Sequence, residues 1–362
     1  MQPVPLALTL DLNQAEAAGA LEVVELNEAD EEIGDVSGVY PSILTGLAGR
    51  QDKSKGERKN RSEIRFVPFS DGIADRWEAR TPRRFVVRRA QEPAPVDEPL
   101  TVRCDGDAVT INNAYYAVTL AHPEGALEGS ANDLIRKITF ADGPSLRAVR
   151  TTSDVVLDGD VYRWRFDSMN GQRAMEVTSH FALLEYGGRF GTPGNNDKVD
   201  RLRWHLTLIF YRTLPLIEVS VRIEQIEGTP TRFDLCRFLQ VHFDPSGDDA
   251  PLNKVQSVDG GRRHSRDLIA ARGDAALLGV VTKPYARTAG TIWMRQPPTS
   301  AYICSIWESD AVLAETMADT GFYLLLAGDP SLKDEMAKYW SSLALLSDMN
   351  ERVRIRNLFD AN

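Results

Sequence analysis

Between Arg201 and Asp244 the chain passes through three segments in which apolar and polar residues alternate with a period of two, the pattern of strands that bury one face. In the first, Leu202, Trp204, Leu206, Leu208 and Phe210 share one side, and Arg203, His205, Thr207 and Tyr211 share the other. In the second, Ile217, Val219, Val221 and Ile223 oppose Glu218, Ser220, Arg222 and Glu224. Leu214-Pro215 marks a tight connection, so the two segments form a hairpin. A two-residue loop sets Tyr211 across from Glu218, Thr207 from Arg222 and His205 from Glu224. A slip of one residue would turn the apolar side to solvent, so the register is constrained to steps of two. The third segment puts Phe233, Leu235, Leu239, Val241 and Phe243 on the apolar parity. Asp234, Cys236, Phe238, Gln240, His242 and Asp244 take the other, and Arg237 is the one charge that breaks the apolar side.

Strand-like runs continue on both sides of this meander. Ahead of it they cover residues 5–12, 21–26, 64–69, 83–89, 100–104, 108–111, 115–120, 135–140, 161–166 and 175–184, and after it 277–281, 291–294, 301–307, 321–327 and 339–346. Helix is scarce: a short turn over 310–317, and residues 331–338, where Ser331 followed by Asp334 has the look of an N-terminal cap. Pro93, Pro95 and Pro99, with Glu92, Asp97 and Glu98 among them, form a stiff polar joint. The expected organisation is all-β, with a small β-rich N-terminal domain over 1–98 and a large antiparallel β-sandwich over 99–362. That second segment far exceeds the roughly 100 residues of an immunoglobulin-type sandwich.

Composition narrows the functional classes. A 362-residue chain with 43% hydrophobic and 26% charged residues is an ordinary globular protein. Its formal net charge of -10 argues against a nucleic-acid partner, which would require concentrated Lys and Arg. The single basic cluster, residues 53–61, is short and lacks interleaved aromatics, so it reads as a solvated loop. Cys104, Cys236 and Cys304 lie far apart without CxxC spacing, which indicates neither a disulfide framework nor a structural zinc site and fits a reducing compartment. No basic-then-apolar leader and no run of ~18 apolar residues is visible. No membrane partner is therefore expected, and the expected location is cytoplasmic, although a secreted chain trimmed of its leader would read the same way.

The stretch Val109-Thr-Ile-Asn-Asn-Ala-Tyr-Tyr-Ala-Val-Thr-Leu120, followed by a turn at Gly125 and the apolar Leu134-Ile-Arg-Lys-Ile138, resembles the opening of galactose-mutarotase-like supersandwich domains. The long meander strands, with Leu216-Ile-Glu-Val-Ser-Val-Arg-Ile223 at their centre, are similar to that class as well. A short β-rich domain before such a sandwich resembles the arrangement in some exo-acting rhamnogalacturonan-lyase-like proteins. The resemblance covers residues 100–350 and implies a supersandwich-like fold with a carbohydrate ligand, whether processed or only bound. Two departures count against carrying the activities over directly. None of the five His residues sits in the Asn-His-x-Tyr-Phe-Asn-like context of aldose epimerases, and the helical toroid of several lyases has no counterpart here.

With that ligand class in view, the polar side of the meander holds the residue types a uronate lyase requires. Such an enzyme neutralises a substrate carboxylate and removes the adjacent C5 proton, so it needs a cation beside a base. His205, Tyr211, Glu224 and His242 are the candidate catalytic residues, and Arg189, Arg203, Arg222 and Gln240 the candidate substrate-binding ones. A glycoside hydrolase would instead need two carboxylates roughly 5 to 9 Å apart, for which Glu218, Glu224, Asp234 and Asp244 are available. The same pattern also describes a solvated outer face whose acids and bases form plain cross-strand pairs, as in a non-catalytic carbohydrate-binding or assembly protein.

Two loops add cations. Gly187-Gly-Arg-Phe-Gly-Thr-Pro-Gly-Asn-Asn-Asp197 carries Arg189 and Phe190, which would meet a sugar at the mouth of a cleft or else belong to a connection without function, and Gly260-Gly-Arg-Arg-His264, followed by Arg266, reads as cations for an acidic sugar or as a solvated turn. Trp77, Trp164, Trp293, Trp307 and Trp340 would stack on sugars if exposed, but Trp164, Trp293 and Trp307 sit in apolar strands and read as structural. His122 and His180 are isolated. No cofactor is indicated and no spacing specifies a metal. The acidic loop Asp244-Pro-Ser-Gly-Asp-Asp249 is the one place where calcium would find oxygen ligands.

Overall fold

A computed structural model describes residues 6–11, 21–27, 29, 31–32, 42–44, 61–66, 84–89, 354–357 and 100–334, apart from 126–128, 142, 158, 167–173, 178–180, 193–197, 213, 226–231, 248–249, 254–262, 267, 283–288, 295–299 and 313–316. The chain is all-β, with a large antiparallel sandwich and a small β-rich N-terminal part. Contacts divide it into two compact units, Met1–Asp97 with Ser341–Asn362, and Glu98–Trp340. The C-terminal residues thus group with the first unit, whereas the sequence had assigned them to the sandwich.

In the first unit β1 (Leu6–Asp11), β2 (Leu21–Leu26), β3 (Ser42–Leu44), β4 (Arg61–Phe66) and β5 (Arg84–Arg89) make two three-stranded sheets. The order of one is β1-β4-β3. In the other β5 lies between β2 and the C-terminal strand Arg354–Asn357, which pairs with it in parallel.

The second unit opens with β6 (Thr101–Asp105), β7 (Ala108–Asn112), β8 (Tyr116–Ala121), β9 (Gly129–Ser130) and β10 (Ile135–Phe140). There follow β11 (Arg150–Leu157), β12 (Asp160–Phe166), β13 (Ala174–Val177), β14 (Phe181–Gly191), β15 (Lys198–Tyr211), β16 (Leu216–Gln225) and β17 (Arg232–Phe243). The unit closes with β18 (Arg263–Ser265), β19 (Leu268–Arg272), β20 (Leu277–Thr282), β21 (Ala289–Met294), β22 (Ala301–Val312) and β23 (Met317–Ala327). One sheet runs β10-β8-β7-β6. The other runs β18-β21-β22-β17-β11-β12-β14-β15-β16-β23-β20-β19, with β13 and β9 attached to β14 and β12.

The long sheet folds back on itself. A Cβ placed on Gly290 of β21 would come 2.7 Å from Ile269 Cγ2 of β19 and 3.3 Å from Val280 Cγ1 of β20, so strands far apart in the order meet across the interior. The core occupies that interior: Trp204, Leu206, Leu208, Val155, Trp164 and Ile303 from the long sheet, with Val109, Ile111, Tyr116, Val118 and Phe140 from the short one. The even residues of β15 from Leu202 to Phe210 and the odd residues of β16 are buried as the alternation requires.

The register departs from the expected one. His205 faces Arg222, Arg203 faces Glu224, Thr207 faces Ser220 and Ile209 faces Glu218, a shift of two residues that keeps every side chain on its predicted face. The loop is four residues, 212–215, rather than two. Asn113, between β7 and β8, holds it by donating from Nδ2 to the carbonyls of Tyr211 (2.8 Å) and Leu214 (3.0 Å), while its Oδ1 accepts from the amides of Tyr115 and Tyr116.

β17 corrects the third segment. Its pairing with β22 shifts between Phe233 and Leu235 and again between Phe238 and Val241, and Leu239 has φ 47°, uncommon for a bulky side chain. The Leu239 amide donates to Ser153 Oγ at 2.7 Å. With the parity switched, Cys236 and Phe238 are buried in the core, and Arg237 shares the outer face with Asp154 instead of interrupting an apolar one.

Two helix expectations change as well. Residues 310–312 and 317 belong to strands β22 and β23 rather than to a helical turn. Over 332–334 the chain is helical, but the cap is Asp329, whose Oδ1 accepts from the Ser331 amide at 2.8 Å. Among the described residues no helix is long and apolar enough to cross a membrane.

Candidate functional site

The outer face of β14, β15 and β16 presents three rows, because antiparallel partners share a face. Arg189, Arg203 and Glu224 form the first, Gly187, His205 and Arg222 the second, and Glu185, Thr207 and Ser220 the third. Arg165 of β12 lies opposite Arg189 and extends the first row by one strand. Stretches with consecutive glycines usually read as loops, yet Gly187-Gly188 lies inside β14, which corrects the loop expected over 187–197 as far as Gly191. A Cβ at Gly188 would lie 1.8 Å from the Arg165 carbonyl oxygen and 2.9 Å from the Trp204 ring, so only glycine fits. The Trp204 indole N–H reaches the Arg165 and Arg189 carbonyls at 3.2 and 3.0 Å. Gly187, opposite His205, leaves the floor between Glu185, Arg189 and His205 without a side chain.

His205 is a quarter exposed, and its Nε2 lies 3.4 Å from Glu224 Oε2. Burial holds its pKa below the ordinary 6.5. Glu224 pulls upward, and Arg222 and Arg203 add to the lowering. The imidazole is therefore neutral near pH 7, and donation of an Nε2 proton to Glu224 leaves the lone pair on Nδ1. Glu185, in the neighbouring row, has its pKa raised by burial against an opposing pull from Arg222. Glu176, diagonal to it on β13, is raised by burial and by Glu185.

The other predicted residues do not join this group. Tyr211 lies six residues along β15, roughly 20 Å from His205. It is buried and donates to Glu218 Oε2 at 2.6 Å. His242 and Gln240 lie on β17, four strand spacings from β15, roughly 19 Å along the sheet. There Asp154, 5% exposed, accepts from Arg237 Nη1 at 2.9 and 3.1 Å and from Gln240 Nε2 at 3.1 Å. Burial pushes His242 down to about 4, against the pull of Asp154, and its ring lies 5.2 Å from Tyr302, which stacks on Trp293 at 5.5 Å.

Of the carboxylates weighed for hydrolysis, Glu218 is engaged with Tyr211, Asp234 Oδ2 accepts from the Gly159 amide, and Asp244 is held in a turn by Ser246. Asp248 and Asp249 of the acidic loop lie outside the described residues, as do His180, Trp77 and Trp340. No group of three or more His, Cys, Asp or Glu suited to a metal occurs among the described residues. Trp164 is buried in the core, as expected of a structural residue. Arg165 and Glu185 escaped the sequence reading. The alternation through Val161 to Phe166 and Phe181 to Arg189 carried their parity, but only register aligns them with Arg203 and His205.

Searches of family models and of curated proteins return no match. Solved structures similar to this chain include a glycosyl hydrolase family 38 protein from Enterococcus faecalis, at 9% identity and TM-score 0.49, covering 94% of this chain and 45% of that one. An alpha-mannosidase from Enterococcus faecalis V583 matches at 8% identity and TM-score 0.45, over 94% and 43% of the two chains. A galactose mutarotase-like protein from Clostridium acetobutylicum matches at 7% identity and TM-score 0.37, over 64% of this chain and 99% of that one. The chain spans less than half the length of the first two. None of the three is a rhamnogalacturonan lyase, and at these scores and identities no activity carries over from them.

Proposed function

We propose that the outer face of β14, β15 and β16 binds an acidic saccharide and that His205 eliminates across its uronate unit. The observation that carries the reading is a neutral, partly buried His205 beside Glu224, with Arg203 and Arg222 in adjacent register positions. Arg203 and Arg222 neutralise the substrate carboxylate and stabilise the charge that spreads onto it as the C5 proton leaves. His205 Nδ1 takes that proton, the electron pair forms the C4=C5 double bond, and the C4–O bond breaks. Glu185, whose pKa is raised, suits protonation of the departing oxygen. Arg189 lies beside Gly187 and extends the cationic edge.

A second reading, saccharide binding without turnover, is favoured by the 45% exposure of the Glu224 side chain and the 3.4 Å separation from His205, which also describe a solvated cross-strand pair. The experiment is turnover of a panel of uronate oligosaccharides followed by the ultraviolet absorbance of the unsaturated product. Product formation that disappears in His205→Gln supports elimination. Saccharide binding with no product in the wild type supports the second reading, and new reducing ends without the absorbance point to hydrolysis.

A further inference from the structure

Glu176 of β13 and Glu185 of β14 share the outer face, because Ala174 lies directly opposite Glu185 and Glu176 is two residues further along β13. Diagonal neighbours of this kind stand roughly 7–8 Å apart, within reach of two long side chains. Both are half-buried. Across from Glu185 on the other side, β15 sets the neutral Thr207 directly opposite, with His205 and Ile209 diagonal to it, and β16 contributes Arg222 and Glu218 one strand further away. Of these, Glu218 is held by Tyr211, and His205 is neutral near pH 7. Arg189 stands four residues away on the same strand as Glu185.

Two carboxylates side by side, both partly removed from water, repel, and one proton between them removes the repulsion. Glu176 is held above the ordinary 4.5 by burial and by Glu185, and Glu185 is raised by burial. No hydrogen bond contributes in either case, and the one cation that acts, Arg222, pulls Glu185 downward. Elsewhere among the described residues the carboxyl groups that depart from their ordinary values, Asp107, Asp244 and Asp329, are all lowered, each chiefly by a hydrogen bond. The raised pair is thus peculiar to the edge of the proposed site.

We propose that Glu176 is a positioning residue for the elimination: it shares one proton with Glu185 and so keeps Glu185 protonated until the departing C4 oxygen takes that proton. The role rests on the function proposed above, but the sharing of the proton does not. In the step itself the proton leaves Glu185 for the oxygen as the C4–O bond breaks, while His205 holds the proton taken from C5. Both carboxylates are then charged, and their repulsion favours the return of a proton from solvent before the next turnover.

The test is a pH titration of the full chain by nuclear magnetic resonance, with the glutamate carboxyl carbons isotope-labelled. In the wild type the pair is expected to release its protons in two separated steps. Glu176→Gln removes the like charge and keeps the shape, so Glu185 titrates at lower pH than in the wild type. Glu185→Gln lowers Glu176 in the same way, because the coupling is reciprocal. Glu176→Asp keeps the charge and most of the effect, and Asp160→Asn, which removes an exposed carboxylate on β12, changes neither titration. Turnover of a uronate oligosaccharide adds a readout that lost packing would not move. Protonation of Glu185 sets the alkaline limb of its rate profile, and Glu176→Gln shifts that limb to lower pH while the acid limb, set by His205, stays in place. An unchanged Glu185 titration in Glu176→Gln, or an equal shift in Asp160→Asn, overturns the proposal. So does an alkaline limb that stays in place while the Glu185 titration moves. A titration that shifts as expected in a chain that forms no product refutes the function alone.

Discussion

Two patches on the outer face of the same sheet hold nearly the same residue types and differ in how tightly their acids and bases are paired. Around β11 and β17, Asp154 receives three hydrogen bonds from Arg237 and Gln240 and is almost wholly buried. Around β14, β15 and β16, His205 lies 3.4 Å from a Glu224 side chain that is 45% exposed, a looser pairing at the sheet surface. A closed network commits its hydrogen bonds to the fold, whereas an exposed pairing holds its side chains less firmly. A histidine beside an arginine therefore says little until its neighbours across the strands are known.

The largest expected effect tests the closed patch. Asp154→Ala leaves Arg237 partly buried beside an empty position and should cost about 3–5 kcal/mol of stability, as is usual when one partner of a buried pair is removed. Urea denaturation measures it. A loss below about 1 kcal/mol would mean that the pair is merely a surface contact.

The next concerns acid. The folded protein keeps His242 neutral down to about 4, whereas the unfolded chain takes up its proton near 6.5. The sign follows from proton uptake: the unfolded state binds more protons in this window, so the contribution is complete above pH 6.5, is lost as pH falls toward about 4, and is flat below. Its size is on the order of 3 kcal/mol. His242→Phe should flatten that part of the stability–pH curve, and an unchanged curve would mean that His242 titrates normally.

A smaller effect belongs to Tyr211, which lies far from the proposed chemistry. Tyr211→Phe takes a hydrogen bond from the buried Glu218 and should cost about 1–3 kcal/mol while turnover remains. Loss of turnover with intact folding would return Tyr211 to the site. Smallest of all is Arg203→Ala, expected to shift stability by no more than about 0.5 kcal/mol because the open patch contributes little to the fold. A large loss would show that the arginine row is structural.

How much of this was legible follows from the range of each interaction. Burial of Trp204, Val219 and Val221 could be read locally, since period-two alternation is set by the strand itself. The pairing of His205 with Arg222 could not, because the loop that fixes it is held by Asn113, about a hundred residues upstream. Arg237 on an apolar parity was a real signal of irregularity. It marked the shifts in β17 around Leu239, but the side chain could not say where the extra residue lay. Gly187-Gly188 was read as a loop because glycine weakens strands in isolation, and the Trp204 ring that makes glycine necessary comes from the neighbouring strand.

The central claim is that the open patch, not the closed one, carries the chemistry, and the most direct measurement is the rate of unsaturated-product formation from a uronate oligosaccharide by the wild type, His205→Gln and His242→Gln. His205→Gln should lose about 10²–10⁴-fold, the usual contribution of a positioned base, with Tm unchanged, while His242→Gln retains the wild-type rate. A His205→Gln variant that turns over at the wild-type rate, or a wild type that forms no product from any uronate substrate, would contradict the account.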